Sequence, residues 1–283
     1  MSSIVDIHPH IVSPDTKAYP LDPLGGTQST WSTERPTTYD DLLRAMDEAG
    51  VAKAAIVHSS TAYGYDNSYV ADAVKAVPSR FTGVFSIDTL APDAVKTFDY
   101  WLGRGGTGMR LFTTGSTLPG QATWFADPKT YPFWEHAAAT NIPVCVQMKQ
   151  EGIPLLRGIM DKFPNVTIVL DHLSRTPFED GPPYQGADDF MALAKYKQVY
   201  LKVTPNNVTP KSWGKATPET FFGKLIDVFG ADRIGWGSNF PNSVGTLKEI
   251  LTAAQKAFSF ANSSERDWIF GKTAQVLYPT LKD

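Results

Sequence analysis

The placement of histidine is the strongest chemical signal in this chain. His8 and His10 stand one residue apart at the end of a strand-forming run that begins at Ser3. Side chains alternate between faces along a strand, so the two imidazoles point the same way. Two converging neutral imidazoles can hold a divalent metal, or can meet a carbonyl or an anion. A pair of surface histidines near a frayed terminus would read the same in isolation, so the other strand-like runs have to decide. His58 ends the run 54–58 and His172 ends the run 166–172, while His136, beside Trp134, is read as packing a helix. The same kind of run carries Arg110, Gln147 and Lys202, and Asn239 closes the run 233–239.

Those runs need a frame that brings their ends together. Strand-like segments at 3–7, 54–58, 81–87, 108–112, 143–148, 166–172, 199–203 and 233–239 alternate with helical segments at 38–49, 67–77, 92–102, 131–140, 153–163, 187–197, 218–229 and 244–258, and a last helix spans 265–278. Alternation of this kind over 283 residues predicts one (β/α)8 TIM barrel domain over residues 1–283, with a C-terminal helical extension. An open doubly wound sheet is the alternative. In a barrel the active site lies at the C-terminal ends of the strands, where these polar residues fall. Period-two counting puts His172 on the face of Ile168 and Leu170, and Asn239 on the face of Gly235 and Gly237. Asp171 should then point away from the barrel axis. Asp6 reads as a buried partner for a neighbouring cation. The segment 11–37 is long and irregular, and its Trp31, together with Trp124 and Lys149, is read as closing over a ligand.

Composition narrows the function. With 26 basic and 29 acidic residues, the net charge is −3, which gives no reason to expect nucleic acid or a membrane surface as a partner. Cys145 is the single cysteine and lies in an apolar run, so it suits a buried strand position in a reducing compartment. No apolar stretch is long enough for a membrane span and no basic, hydrophobic leader precedes the first run; a cytoplasmic protein is the expectation.

The HxH of His8 and His10, the Asp-His-Leu that includes His172, and the turn Gly237-Ser238-Asn239-Phe240-Pro241 together resemble the amidohydrolase superfamily, in particular the amidohydrolase-2 group with its 2-pyrone-4,6-dicarboxylate and 4-sulfomuconolactone lactonases. The resemblance runs through nearly the whole chain, to the closing Gly271-Lys272-Thr273-Ala274. It implies that His8, His10 and His172 bind a metal, zinc or manganese, or a substrate carbonyl. It also places Asn239 where the family carries the aspartate that orients or deprotonates water. An asparagine cannot accept that proton, and its neutrality weakens the case for a tightly held cation. Arg175 follows His172 by three residues, as an arginine does in the dicarboxylate lactonases.

The reading that follows is a lactone hydrolase acting on a small anionic compound. His8, His10, His172 and Asn239 are its catalytic residues, and Arg110, Gln147, Arg175, Lys202 and His58 line its substrate site. Lys202 has a second reading, as a stem packed along the barrel with its charge paired to a neighbouring acid. The alternatives are a nonoxidative, metal-dependent decarboxylase and a non-catalytic anion-binding barrel. A homo-oligomer is also expected.

Overall fold

The computed structural model describes residues 3–282. Its eight strands are β1 (Val5–Asp6), β2 (Lys53–Val57), β3 (Phe81–Phe85), β4 (Gly106–Phe112), β5 (Val144–Gln147), β6 (Ile168–Leu170), β7 (Val199–Val203) and β8 (Ile234–Trp236). They pair in parallel in sequence order. The Ile7 N–H donates to the Trp236 carbonyl at 3.3 Å and ties the end of β1 to β8. This is the (β/α)8 barrel predicted from the alternation of segments.

Each strand divides its side chains between two environments. Ala54, Ile56, Met109, Leu111, Val144, Val146, Ile168, Leu170, Leu201 and Val203 join the core shared with the helices. Val5, Ile7, Ala55, Val57, Val84, Cys145 and Val169 form a separate cluster inside the barrel. The closing segment supplies the floor of that interior with Ala274, Leu277, Tyr278 and Leu281. At β8 the interior is so narrow that only glycine fits: a Cβ on Gly235 would lie 2.6 Å from Ile7 Cδ1, and one on Gly237 2.5 Å from His8 Cβ.

Local chemistry sets the helix limits. Helix Tyr39–Ala49 opens on a capping box, in which Thr38 accepts from the Asp41 N–H while the Asp41 carboxylate accepts from the Thr38 N–H. It stops at Gly50, whose φ of 75° suits glycine. Tyr131–Thr140, Pro218–Phe229 and β7 take the limits expected from sequence.

Several segments differ from expectation, and three of them bear on the core or the site. Residues 187–197 form only a short helix, Asp188–Met191, which runs into the 3₁₀ turn Ala192–Lys195; the tighter winding brings Phe190 and Leu193, three apart, to the buried side. The last helix is interrupted by a π-helical turn at Trp268–Lys272. Strand β6 stops at Leu170, because His172, Leu173, Ser174 and Arg175 all take positive φ, between 51° and 53°. No helix among the described residues is long and apolar enough to cross a membrane.

Candidate active site

The C-terminal ends of the strands enclose a small cavity of about 140 Å3. His10, His58, Arg110, Gln147, His172, Arg175 and Asn239 line it. Seven residues singled out from sequence therefore meet at one place, joined by Trp31, Phe112, Asn206, Asn242 and the hydroxyls of Ser59, Ser60, Thr61 and Ser116.

Two expected site residues, His8 and Lys202, lie below this lining. The His8 ring sits between two others, with centroids 4.9 Å from His10 and 4.9 Å from His172. Lys202 is wholly buried inside the barrel; its Nζ lies 2.8 Å from Asp171 Oδ1 and donates to Cys145 Sγ at 3.3 Å. Of the two readings of Lys202, the packed and paired stem describes its placement, and the substrate-contacting one does not. The register that pairs Leu170 with Leu201 brings Asp171 level with Lys202, where the two charges meet.

Asp171 itself corrects the sequence reading. It points into the barrel, because β6 turns the face of Val169, not that of Ile168 and Leu170, toward the axis. Ile168 and Leu170 pack outward on the helices, the smaller Val169 fits the narrow axis, and Asp171 continues the Val169 face. His172 then reaches the cavity only through the left-handed backbone that begins at that residue. Period alone could not reveal this turn. Asp171 Oδ2 accepts from Arg110 Nε at 2.8 Å, and Arg110 Nη2 donates to Gln147 Oε1. One carboxylate thus faces two cations in a water-excluded place. Burial raises the cost of its charge, but Lys202 and Arg110 outweigh this and hold the Asp171 carboxyl well below the usual carboxylate range. For Lys202, burial alone would push the ammonium down, and the Asp171 charge pushes it above its ordinary value instead.

Hydrogen bonds assign the imidazole tautomers. His10 Nδ1 lies 2.8 Å from the Val57 carbonyl, which can only accept, so Nδ1 carries the proton and Nε2 keeps a lone pair. His172 Nδ1 lies 2.7 Å from Thr204 Oγ1, a hydroxyl whose proton is directed to Asn207 Oδ1 at 3.4 Å. In the tautomer with Nδ1 as the donor to Thr204, Nε2 is the basic nitrogen. Asn207 Nδ2 also donates to the His172 carbonyl at 3.2 Å and steadies the strained turn. His58 gives its Nε2 proton to the Gly64 carbonyl at 2.9 Å. All three rings are neutral: burial pushes His10 and His172 down to about 3 and His58 down to about 4, with the Arg110 charge adding to the effect at each. Sequence reasoning missed Thr204 and Asn207. Their signal was present in the Thr-Pro-x-Asn that follows β7, a cap pattern one residue past a strand end.

Asn239 lies in the wall with a φ of 51°, and its carboxamide is tied down at both ends. Nδ2 donates to Ser243 Oγ at 3.1 Å, and Oδ1 accepts from Asn242 Nδ2 at 3.4 Å. Asp6 makes no close ion pair among the described residues, although the Lys202 charge reaches it and partly offsets the cost of its burial. Its Oδ1 accepts the backbone N–H groups of His8 at 2.9 Å and Ser238 at 2.8 Å, which locks the end of β1 to the end of β8; burial pushes its carboxyl up to about 6. Trp31 covers His10, with ring centroids 5.3 Å apart. Trp124 packs on the core, and the Lys149 N–H is taken by Gln121 Oε1 at 2.7 Å, so neither joins the cavity lining.

The residues also offer a place for a metal. His8, Asp171 and His172 present donor atoms all within 4.8 Å of one another. Both ring nitrogens of the wholly buried His8 lack a hydrogen-bond partner, although leaving one such group unpaired costs about 1–3 kcal/mol. The donor types fit a zinc-like ion. Asp171 was not in the metal set read from sequence; His10, which was, lies outside this group of atoms, with Nδ1 on Val57 and its Nε2 lone pair uncommitted.

Known proteins share this architecture. An L-fucono-1,5-lactonase from Burkholderia ambifaria is 25% identical over 127 residues, a match that spans 42% of each chain. A crystal structure of a probable 2-pyrone-4,6-dicarboxylic acid hydrolase from Acinetobacter baumannii, with citric acid bound, superposes with a TM-score of 0.76 at 18% identity, over 98% of this chain and 99% of that one. An amidohydrolase from Burkholderia multivorans with bound zinc gives 0.77 at 16% identity, over 98% and 99%. A dihydroxybenzoic acid decarboxylase from Polaromonas sp. JS666 with bound manganese gives 0.70 at 17% identity, over 100% and 98%. At these identities the solved structures establish the fold. The family model described as amidohydrolase matches residues 5–280, and the chain belongs to the amidohydrolase family, as an enzyme of hydrolase type.

Proposed function

We propose that this enzyme opens a lactone on a small anionic compound by attack of water at the carbonyl. One observation carries the reading: His172 is a buried, neutral imidazole with Nδ1–H fixed on Thr204 and Nε2 basic, in the wall of a cavity lined by two arginines and no carboxylate. A lining of that charge attracts an anion and repels none. Among the described residues the Arg175 guanidinium makes no hydrogen bond or ion pair, which leaves its planar fork for a carboxylate or sulfonate at the cavity it lines. Arg110 has Nε committed to Asp171 and Nη2 to Gln147, which leaves Nη1 for the charge that develops on the carbonyl oxygen. His172 Nε2 takes the proton from the attacking water and returns it to the ring oxygen as the C–O bond breaks. The clamped Asn239 carboxamide orients that water but takes no proton. A divalent ion held by His8, His172 and Asp171 would take up the His172 Nε2 lone pair and supply charge against the carbonyl oxygen, so the base role of His172 belongs to the site without a metal.

Turnover on a panel of lactones bearing a carboxylate or sulfonate, followed by acid release, tests this reading. The His172→Asn variant should lose at least about a thousandfold, in line with loss of a general base. Thr204→Val should fold and lose about tenfold, because it frees the ring tautomer without removing the base. A His172→Asn enzyme with undiminished rate would remove that residue from the chemistry. Release of carbon dioxide from aromatic acids, with no lactone opened, would favour the decarboxylase reading.

A further inference from the structure

We infer that the Lys202 ammonium occupies the cation position of this site, as a tethered counter-ion that a divalent metal must displace from Asp171. The inference deepens the hydrolase reading, by naming the group that carries the positive charge beneath the catalytic histidines. The argument starts from one oxygen. Asp171 Oδ1 lies 3.7 Å from His8 Nδ1, which makes it the carboxylate oxygen that completes the donor set of His8, Asp171 and His172. The same oxygen lies 2.8 Å from Lys202 Nζ. The other oxygen, Oδ2, is held by Arg110 Nε at 2.8 Å. Each carboxylate oxygen of Asp171 thus already faces a cation, and a metal at Oδ1 would sit against the Lys202 ammonium.

Charge leads to the same conclusion. With the imidazoles neutral, the charges of Lys202 and Arg110 already offset those of Asp171 and of the buried Asp6, whose carboxyl feels the Lys202 charge. A dication added there finds no surplus negative charge, where a metal site ordinarily gathers negative ligands. The position that could have supplied a second carboxylate holds the neutral Asn239. Lys202 also has nowhere else to serve: it is wholly buried, reaches no cavity surface, and its remaining contact is the Cys145 sulfur at 3.3 Å. A buried ammonium whose ion pair among the described residues is with the metal-site carboxylate behaves as the site's own cation.

Zinc occupancy measures this without reference to turnover, so failure of the lactonase reading and failure of this inference are separable. Chelator-treated full-length chain is dialysed against buffered zinc, and bound metal is measured by atomic emission for wild type, Lys202→Met and Lys202→Arg. Wild type and Lys202→Arg should hold substoichiometric zinc, while Lys202→Met should bind one equivalent at least about tenfold more tightly, within the usual range of site-to-site coupling. Equal affinity in wild type and Lys202→Met, or wild type that retains a full equivalent against the chelator, overturns the inference. Should Lys202→Met fail to fold, amine labelling of the wild type read by mass spectrometry decides. Lys202 should be protected without zinc and labelled when excess zinc is bound; zinc bound with Lys202 still protected would contradict the displacement.

Discussion

Acidification should unfold this protein well above the pH at which its carboxylates titrate. His10 and His172 are pushed down to about 3 and His58 to about 4, and burial with the Lys202 charge lowers His8 as well. In the unfolded chain each returns to about 6.5. A group whose folded pKa is depressed contributes stability that is present above its unfolded value and is lost as pH falls through the window below. Here that window opens near pH 6.5. At pH 5 each of the four imidazoles takes up nearly one proton on unfolding, worth about 1.4 kcal/mol per pH unit apiece. Asp6 works in the opposite direction. Its carboxyl, raised to about 6, is protonated in the fold and ionised in the unfolded chain, so one proton is released. The net uptake of about three protons gives a slope on the order of 4 kcal/mol per pH unit between pH 6 and pH 5, a large part of the ~5–15 kcal/mol stability of a typical domain. Asp171 adds nothing in this range, since its contribution fades only below the unfolded carboxylate value near 3.9. Urea unfolding followed by tryptophan fluorescence at pH 7, 6 and 5 measures the slope, and a His58→Gln variant should flatten it by about one proton. Stability that is flat from pH 7 to pH 5, or that rises, would refute the assignment of buried neutral imidazoles.

Two further predictions address the cavity and its support. Gly237→Ala would place a Cβ 2.5 Å from His8 Cβ and should destabilise the fold by about 1–3 kcal/mol while lowering turnover, as read by thermal unfolding and rate together; an unperturbed variant would mean that His8 is free to shift. Arg175→Met should raise KM for a carboxylated lactone by about tenfold or more, with a smaller effect on kcat and little effect on an uncharged lactone, since a hydrogen bond to a charged group is worth about 1.5–3 kcal/mol. An equal loss on charged and uncharged lactones would take Arg175 out of anion recognition.

Much of the barrel was legible because its signals are local. The capping box of Thr38 and Asp41, the stop at Gly50, and the alternation that hides Arg110 and Lys202 inside the barrel all follow from neighbours a few residues apart. Gly235 and Gly237 marked the inner face of β8 correctly, because glycine is what a crowded interior leaves room for. The reading failed at β6, where Ile168 and Leu170 are apolar on either face and no local rule tells a helix-packed surface from a barrel axis. Side-chain size held the answer, with the smaller Val169 inside. The role of Asp171 was hidden for the same reason. Its partners Lys202 and Arg110 come from β7 and β4, and only the closed barrel brings them together. The anchoring of His172 by Thr204 and Asn207 likewise depends on a left-handed turn that no residue type in Asp-His-Leu-Ser-Arg announces.

The most direct test of water attack on a lactone carbonyl is the fate of labelled water. A carboxylated lactone found to be turned over is hydrolysed by the enzyme in water enriched in oxygen-18, and the product is examined by mass spectrometry. The account predicts one heavy oxygen, in the newly formed carboxylate, with the ring oxygen retained as hydroxyl and no carbon dioxide released. Label in the hydroxyl, or loss of carbon dioxide from the substrate, would contradict it.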